Sequence, residues 1–251
     1  MALRRVSLAI VAIIGLIGAA PAQAGSFTAT AVGFSFIDAT GGSVIAGLTG
    51  QDDAAVSVAL PFSFSFFGNS FNSVFVSSNG LITFNSANSA FTNQDLNFPL
   101  GQPAIAAYWD DLVVAGTANT NVYTLTQGAV GSRQFTIEWA HMSYFDDNLP
   151  RTGDFSFEAT LFEGSNFIRL NYLNLATGHN GGAQDNAVSA TVGVTNGAGD
   201  VTQLVFNNGT NAFVGAEKST LLTPTAAVPE PASLLLIATG LAGLAARRRA
   251  R

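Results

Sequence analysis

Cysteine is absent from all 251 residues. The chain therefore has no disulfide, no thiolate metal ligand and no cysteine nucleophile, and an exported domain of this kind must be held by its core alone. Charge is also sparse, at 10% of residues, and positive charge is almost missing from the middle of the chain. Six of the ten Lys and Arg residues (Arg4, Arg5, Arg247, Arg248, Arg249 and Arg251) lie at the two ends. Between Gly25 and Val228 only Arg133, Arg151, Arg169 and Lys218 remain, four against fifteen Asp and Glu, a net of −11. Such a domain repels nucleic acid and anionic lipid, so neither is expected as a partner. Its acidity reads first as a solvated surface and only second as a cation-binding one. The two histidines, His141 and His179, belong to no H-E-x-x-H or other ligand-spaced motif, and they read as surface or loop residues. There is no G-x-S-x-G nucleophile elbow, no D-x-D-x-D-G calcium loop and no amphipathic helix periodicity between the ends.

What is present begins with the ends. Arg4 and Arg5 precede an apolar run from Val6 to Gly18, and Ala22-Gln23-Ala24 places small residues at a cleavage site. This order predicts a signal peptide over residues 1–24, cut by signal peptidase at Ala22 and Ala24, with the mature chain starting at Gly25. At the other end, Val228-Pro229-Glu230-Pro231 leads into the apolar segment Ala232 to Ala246 and then the arginine cluster. A proline in the first helical turn costs no hydrogen bond, so 232–246 is expected to be a membrane helix. At 1.5 Å per residue it spans roughly 22 Å, against a hydrocarbon core about 30 Å thick, which makes it a marginal, temporary anchor. The arginines stay cytoplasmic by the positive-inside rule, leaving everything before Val228 on the far side.

Residues 25–222 read as one all-β domain, an antiparallel β-sandwich, and 223–228 as a Pro and Ala linker to the tail at 229–251. In Pro61 to Phe67, Phe62, Phe64 and Phe66 alternate with Ser63 and Ser65. Gly68-Asn69 is expected as a turn, and Asn79-Gly80 as a tight type I′ hairpin with Leu81 to Phe84 returning. Further strands are expected at Ala104 to Trp109, Asn121 to Leu125, Gln134 to Trp139, Asp154 to Phe162, Phe167 to Tyr172, Ala187 to Val194 and Thr202 to Phe206. Glu163-Gly164-Ser165-Asn166 reads as a hairpin loop and Thr177 to Asn186 as a long surface loop. Phe64, Phe66, Trp109, Ile137 and Trp139 are the expected core.

No catalytic residue is expected. Asp110-Asp111, with Asp52-Asp53 or Asp146-Asp147 converging on them, are weak calcium candidates, since hard cations take carboxylate oxygens. Neighbours on a strand point to opposite faces, so one Asp of the pair is expected to cap a turn and the other to face solvent. Glu138, with Asp110 or Glu158 as a second carboxylate, is the one arrangement that suggests glycoside hydrolysis, and pairing with Arg133 or Arg169 is its plainer account.

Two resemblances follow from these residues. Val-Pro-Glu-Pro, an apolar helix containing Gly240 and Gly243 and a terminal arginine cluster together resemble the PEP-CTERM sorting signal of exopolysaccharide-producing Gram-negative bacteria. By that resemblance Pro229, Glu230 and Pro231 are recognised by an exosortase-type membrane protease. Phe66-Phe67-Gly68, Val76-Ser77-Ser78-Asn79-Gly80, Ile105-Ala106-Ala107-Tyr108-Trp109-Asp110-Asp111-Leu112 and Phe135-Thr136-Ile137-Glu138-Trp139 resemble the nidogen-like extracellular module. That resemblance implies a β-sandwich interaction module with no chemistry of its own. The expected protein is thus exported, anchored briefly in the membrane, and delivered to the cell surface or matrix to engage exopolysaccharide or matrix proteins. The alternative is a secreted hydrolase acting on polysaccharide.

Overall fold

The computed structural model describes residues 25–116, 120–145, 155–178 and 182–225. The signal peptide, Asp146, Asp147, Arg151, His179 and the sorting tail lie outside the described residues. Among those described, no helix is long and apolar enough to cross a membrane.

The chain forms two antiparallel sheets. The smaller has the order β13-β12-β6-β5-β4-β3: Val201–Phe206, Thr191–Thr195, Ala104–Trp109, Leu81–Thr83, Asn69–Ser77 and Ala55–Phe66. The larger has the order β1-β14-β11-β10-β9-β8-β2: Phe27–Val32, Lys218–Pro224, Ile168–Asn174, Phe155–Phe162, Gln134–Tyr144, Asn121–Gln127 and Ser43–Val44, with β7 (Leu112–Val113) pairing to β9. β14 runs on through Pro224, so Thr223 and Pro224, read from sequence as the start of a linker, pair with Thr28 and Phe27.

The period-2 alternation explains the packing. Phe62, Phe64, Phe66, Val74, Val76 and Ile105 from the small sheet meet Ile137, Trp139, Phe157, Leu170 and Tyr172 from the large one in a single apolar layer. Trp139 stacks on Phe157 with ring centroids 4.9 Å apart, and its indole N–H donates to the Ser77 carbonyl at 2.8 Å. All five expected core residues are buried, at 0 or 1% exposure. Trp109, however, belongs to a separate cluster with Leu81, Leu96, Ala104 and Ala106, where its indole N–H donates to Ala90. It is Tyr108, its neighbour on the opposite face, that enters the inter-sheet core.

Two turns differ from expectation. Phe67 and Gly68, not Gly68 and Asn69, take the positive-φ corner between β3 and β4, at φ 46° and 77°. Phe67 accepts this strain because its ring is buried edge-on against Phe27 and Phe66. Asn79-Gly80 is not a two-residue hairpin either. Val76 is the last residue of β4 paired with β5, opposite Ile82, which leaves five residues between the paired positions. Asn79 is fully buried: its side chain donates to Asp53 and to the Ser89 carbonyl and accepts from the Leu112 N–H at 2.8 Å. An amide that satisfies partners from two loops and from β7 is worth more there than at a solvent-facing turn. Gly80, at φ 72°, lies so close to the Tyr108 carbonyl that a Cβ has no room.

Smaller shifts occur at the expected strand from Ala187. Asp185–Ala187 is instead a 3-10 turn and the strand begins at Thr191, because Asp185 is held by the backbone N–H groups of Thr177 and Gly178. The Glu163 to Asn166 hairpin loop forms as expected, with Gly164 and Asn166 at positive φ.

Candidate functional site on the strapped face

Between β1 and β2 the chain crosses the whole outer face of the large sheet. It leaves at Val32 and lands at Val44, and these two residues are the ends of one cross-strand row: Val32, Ser219, Asn171, Glu158, Glu138, Tyr123, Val44. Alternate N–H groups of this strap donate to the row beneath. Ser35 donates to the Ser219 hydroxyl at 3.0 Å, Ile37 to Glu158 Oε2 at 3.0 Å and Ala39 to Glu138 Oε2 at 2.6 Å. Donors two residues apart point to the same side of the strap, and here they meet side-chain acceptors from β14, β10 and β9. Asn171 joins the row by donating to Glu158 and accepting from Ser219. Ala39 closes the strap by packing on Tyr123 and Ala140.

Glu138 and Glu158 are therefore direct cross-strand neighbours, 3% and 0% exposed. Burial pushes the Glu138 carboxyl up to about 7, with the Ala39 N–H pulling it down and the Asp38 charge adding to the rise. Burial likewise pushes Glu158 up to about 8, partly offset by the Ile37 N–H and Asn171, with the Glu138 charge raising it further and Arg169 opposing. The plainer account of Glu138 in the sequence reading is not met. Arg133 forms its ion pair with Glu163 at 2.7 Å, and the Arg169 guanidinium lies 5.3 Å over the Phe162 ring.

Beside Glu138 the strap leaves a cavity of about 490 Å³, lined by Phe36, Asp38, Thr40, Tyr123, Glu138, His141, Ser156 and Leu173. Its floor is shaped by a bulge. His141 has φ 52°, the β9–β10 register shifts there, and its N–H donates to the Ser156 hydroxyl. His141 is thus a strand residue at a bulge rather than a loop residue. Asp38 is fixed by the Thr40 hydroxyl and N–H, which hold its carboxyl below the usual range. Sequence reasoning missed Asp38 and Tyr123. The only local sign was the Asp38-Ala39-Thr40 turn, an Asx pattern common on any surface.

The other acidic residues gather elsewhere. Asp111 comes together with Asp52 and Asp53, their oxygens all within 4.8 Å of one another, beside a recess of about 210 Å³ framed by the exposed rings of Phe91 and Phe145. The convergence expected from sequence is therefore half met. Asp110 turns away, buried, accepting from Ser189 at 2.7 Å and from the Asp111 N–H at 2.9 Å. Burial raises its carboxyl despite those bonds. Asp110 sits at the end of β6 in the small sheet, so it does not join Glu138 on the outer face of the large one. Ala22, Ala24, Pro229, Glu230, Pro231, Arg247, Arg248 and Arg249 lie outside the described residues.

The alternating sandwich agrees with the family comparison: the model of the NIDO-related family matches residues 26–233. The chain belongs to the NIDO-related family. This NIDO-related domain runs into a PEP-CTERM protein-sorting motif that matches residues 227–249. No curated protein and no solved structure matches the chain. The sorting motif marks the NIDO-related protein as exported, held briefly in the membrane and passed to the cell surface of a Gram-negative bacterium.

Proposed function

We propose that this chain is a non-enzymatic interaction module of the cell surface, engaged in envelope, extracellular-matrix or adhesive contacts, with its tail processed by an exosortase-type protease. The observation that carries this reading is the direct coupling of a NIDO-related domain to a sorting motif in one chain. It is supported by the use made of the buried carboxyls. Glu158 has no exposure and spends its oxygens on Ile37 and Asn171, so as a structural acceptor it is not presented to a substrate.

One observation favours the second reading, a secreted polysaccharide-acting hydrolase. Glu138, with its carboxyl raised to about 7, lines a cavity that also holds the carboxylate of Asp38. The purified mature protein should bind matrix polysaccharide or protein and release no new reducing ends from it. Glycan cleavage lost in Glu138→Gln or Asp38→Asn would replace the binding reading by the hydrolase one.

No cofactor is part of this proposal. The Asp52, Asp53 and Asp111 oxygens offer hard ligands, and at most weak calcium binding is expected there. A melting curve with excess calcium should lie within about 2 °C of one with chelator, since stabilisation grows only as RT ln(1 + [L]/Kd). A large upward shift would make calcium a resident ligand.

For the tail, changing Pro229, Glu230 and Pro231 to Ala should leave export and membrane insertion intact and block processing. Full-length chain then accumulates in the membrane. Changing Arg247, Arg248, Arg249 and Arg251 to Ser removes the cytoplasmic stop and should release unprocessed chain. Mass spectrometry of the mature C-terminus decides between these roles: Arg251 still present on surface-exposed wild-type protein would leave only a plain anchor.

A further inference from the structure

The cavity under the strap is lined by two carboxyls and one basic side chain, His141, whose charge acts on Asp38. No Lys or Arg lines it, and the described cations of the domain are engaged elsewhere: Arg133 with Glu163, Arg169 over Phe162 and Lys218 with the Asn211 carbonyl. Two carboxyls face it from different elements, Asp38 from the strap and Glu138 from β9. Glu138 is 3% exposed, yet only its Oε2 is hydrogen-bonded among the described residues, through the Ala39 N–H. The Oε1 half of a nearly buried carboxyl on the cavity wall is thus left without a protein donor and is free to accept from a guest in the cavity.

The shape and spacing narrow the donor. The oxygens of Asp52, Asp53 and Asp111 close to within 4.8 Å of one another, as a bare metal ion needs, whereas Asp38, Glu138 and His141 form no such group among the described residues. A cavity of about 490 Å³ has room for a guest larger than an ion, and two carboxyls on its walls favour one that is cationic with several N–H donors. The remaining walls are the rings of Phe36 and Tyr123 and the side chain of Leu173, which suit an apolar or sugar stem and the face-on approach of a cation.

We propose that this cavity is a binding site for a primary ammonium group on a small organic stem, with Asp38 and Glu138 as its anionic partners and Tyr123 as its aromatic wall. The site goes beyond the surface-module reading and does not require it, because a cavity that binds an amine can exist in a protein of any role.

The same geometry sets a pH signature. The groups facing Glu138 are Asp38 and Thr40 on the strap, Tyr123 on β8, His141 on β9 and Glu158 on β10, with Arg169 beyond Glu158 on β11. An ammonium guest favours the charged carboxylate, so binding draws a proton off Glu138 and tightens as the pH rises through about 7.

The test uses the purified full chain, titrated calorimetrically at pH 6 and pH 8 with D-glucosamine, with N-acetylglucosamine and with 1,5-diaminopentane. Binding of either amine, absent for the acetylated sugar, is the expected result. The pH signature is read from 1,5-diaminopentane, which stays fully protonated and should bind tighter at pH 8, whereas the less basic amine of glucosamine itself loses its proton over this range. Preference for glucosamine names a sugar stem, and preference for the diamine an aliphatic one. Asp38→Asn, an exposed change, and the near-isosteric Glu138→Gln should each weaken binding at pH 8 by tenfold or more while melting as cooperatively as wild type. Equal binding of glucosamine and its acetylated form overturns the proposal. So does amine binding indifferent to both substitutions, or no binding at millimolar amine. Loss of glycan or matrix adhesion with amine binding intact would instead fail the surface-module reading alone.

Discussion

Phe66→Ala is expected to destabilise the domain by about 3 to 5 kcal/mol, as truncation of a fully enclosed phenylalanine does elsewhere. Phe66 is 0% exposed and sits at the centre of an aromatic cluster, stacked on Phe84 at 4.4 Å and edge-on to Phe67 at 4.7 Å. Phe27 from the other sheet lies 5.4 Å away, so the ring also ties the two layers together. The rigid neighbours of such a cluster collapse little, which leaves a cavity as well as lost burial. With no disulfide to restrain the unfolded chain, the loss is a large share of a typical stability of about 5 to 15 kcal/mol. Melting should fall by roughly 10 °C for a domain of this size. Trp109→Ala serves as the contrast. Its ring holds down the loop before β6 through Ala90 and Leu96 rather than joining the sheets, so this variant should also melt lower but first become sensitive to protease near residue 90. Near-wild-type melting of both variants would mean that the strand faces are assigned the wrong way round.

Stability should also fall from acid to alkaline pH, on account of Glu138 and Glu158. Both folded pKa values, about 7 and about 8, lie above the ordinary glutamate value of 4.5. Between these limits the folded chain keeps protons that the unfolded chain has released. The contribution is therefore complete below about pH 4.5 and is lost as pH climbs through 7 and 8, the reverse of a salt-bridged carboxylate. For two coupled, desolvated carboxyls the combined loss between pH 5 and pH 9 is on the order of 3 kcal/mol. Urea unfolding at pH 5, 7 and 9 measures it. Glu138→Gln keeps an acceptor for the Ala39 N–H and cannot ionise, so it should flatten the slope and match or exceed wild type at pH 9. An unchanged slope in that variant would place the proton elsewhere.

Much of the architecture was readable locally. Ala104 to Trp109 is a strand over the residues its apolar run suggests, and the Phe62, Phe64 and Phe66 alternation fell on the buried face, because strand periodicity is set by the backbone itself. Asn79 shows where that reading ends. Its pairing with Gly80 is a strong turn signal, yet the side chain is spent on Asp53, Ser89 and Leu112, partners up to 33 residues away. Asp110 and Asp111 show the same limit: they are adjacent in sequence, but one is captured by Ser189 and the other joins Asp52 and Asp53.

Export, surface sorting and an antiparallel β domain were determined by the sequence alone, because each rests on order or period within a short segment: a basic-apolar-small leader, a Pro-Glu-Pro tail with its arginines, and alternation by twos. The strap, the buried Glu138–Glu158 pair and the acidic cavity were decided only by the tertiary structure. Their residues come from β14, β11, β10, β9, β8 and the crossing segment, and what aligns them is sheet register. Register is a property of how strands far apart in the chain pair, and a single strand's pattern states which face a residue takes but not which residue will lie beside it.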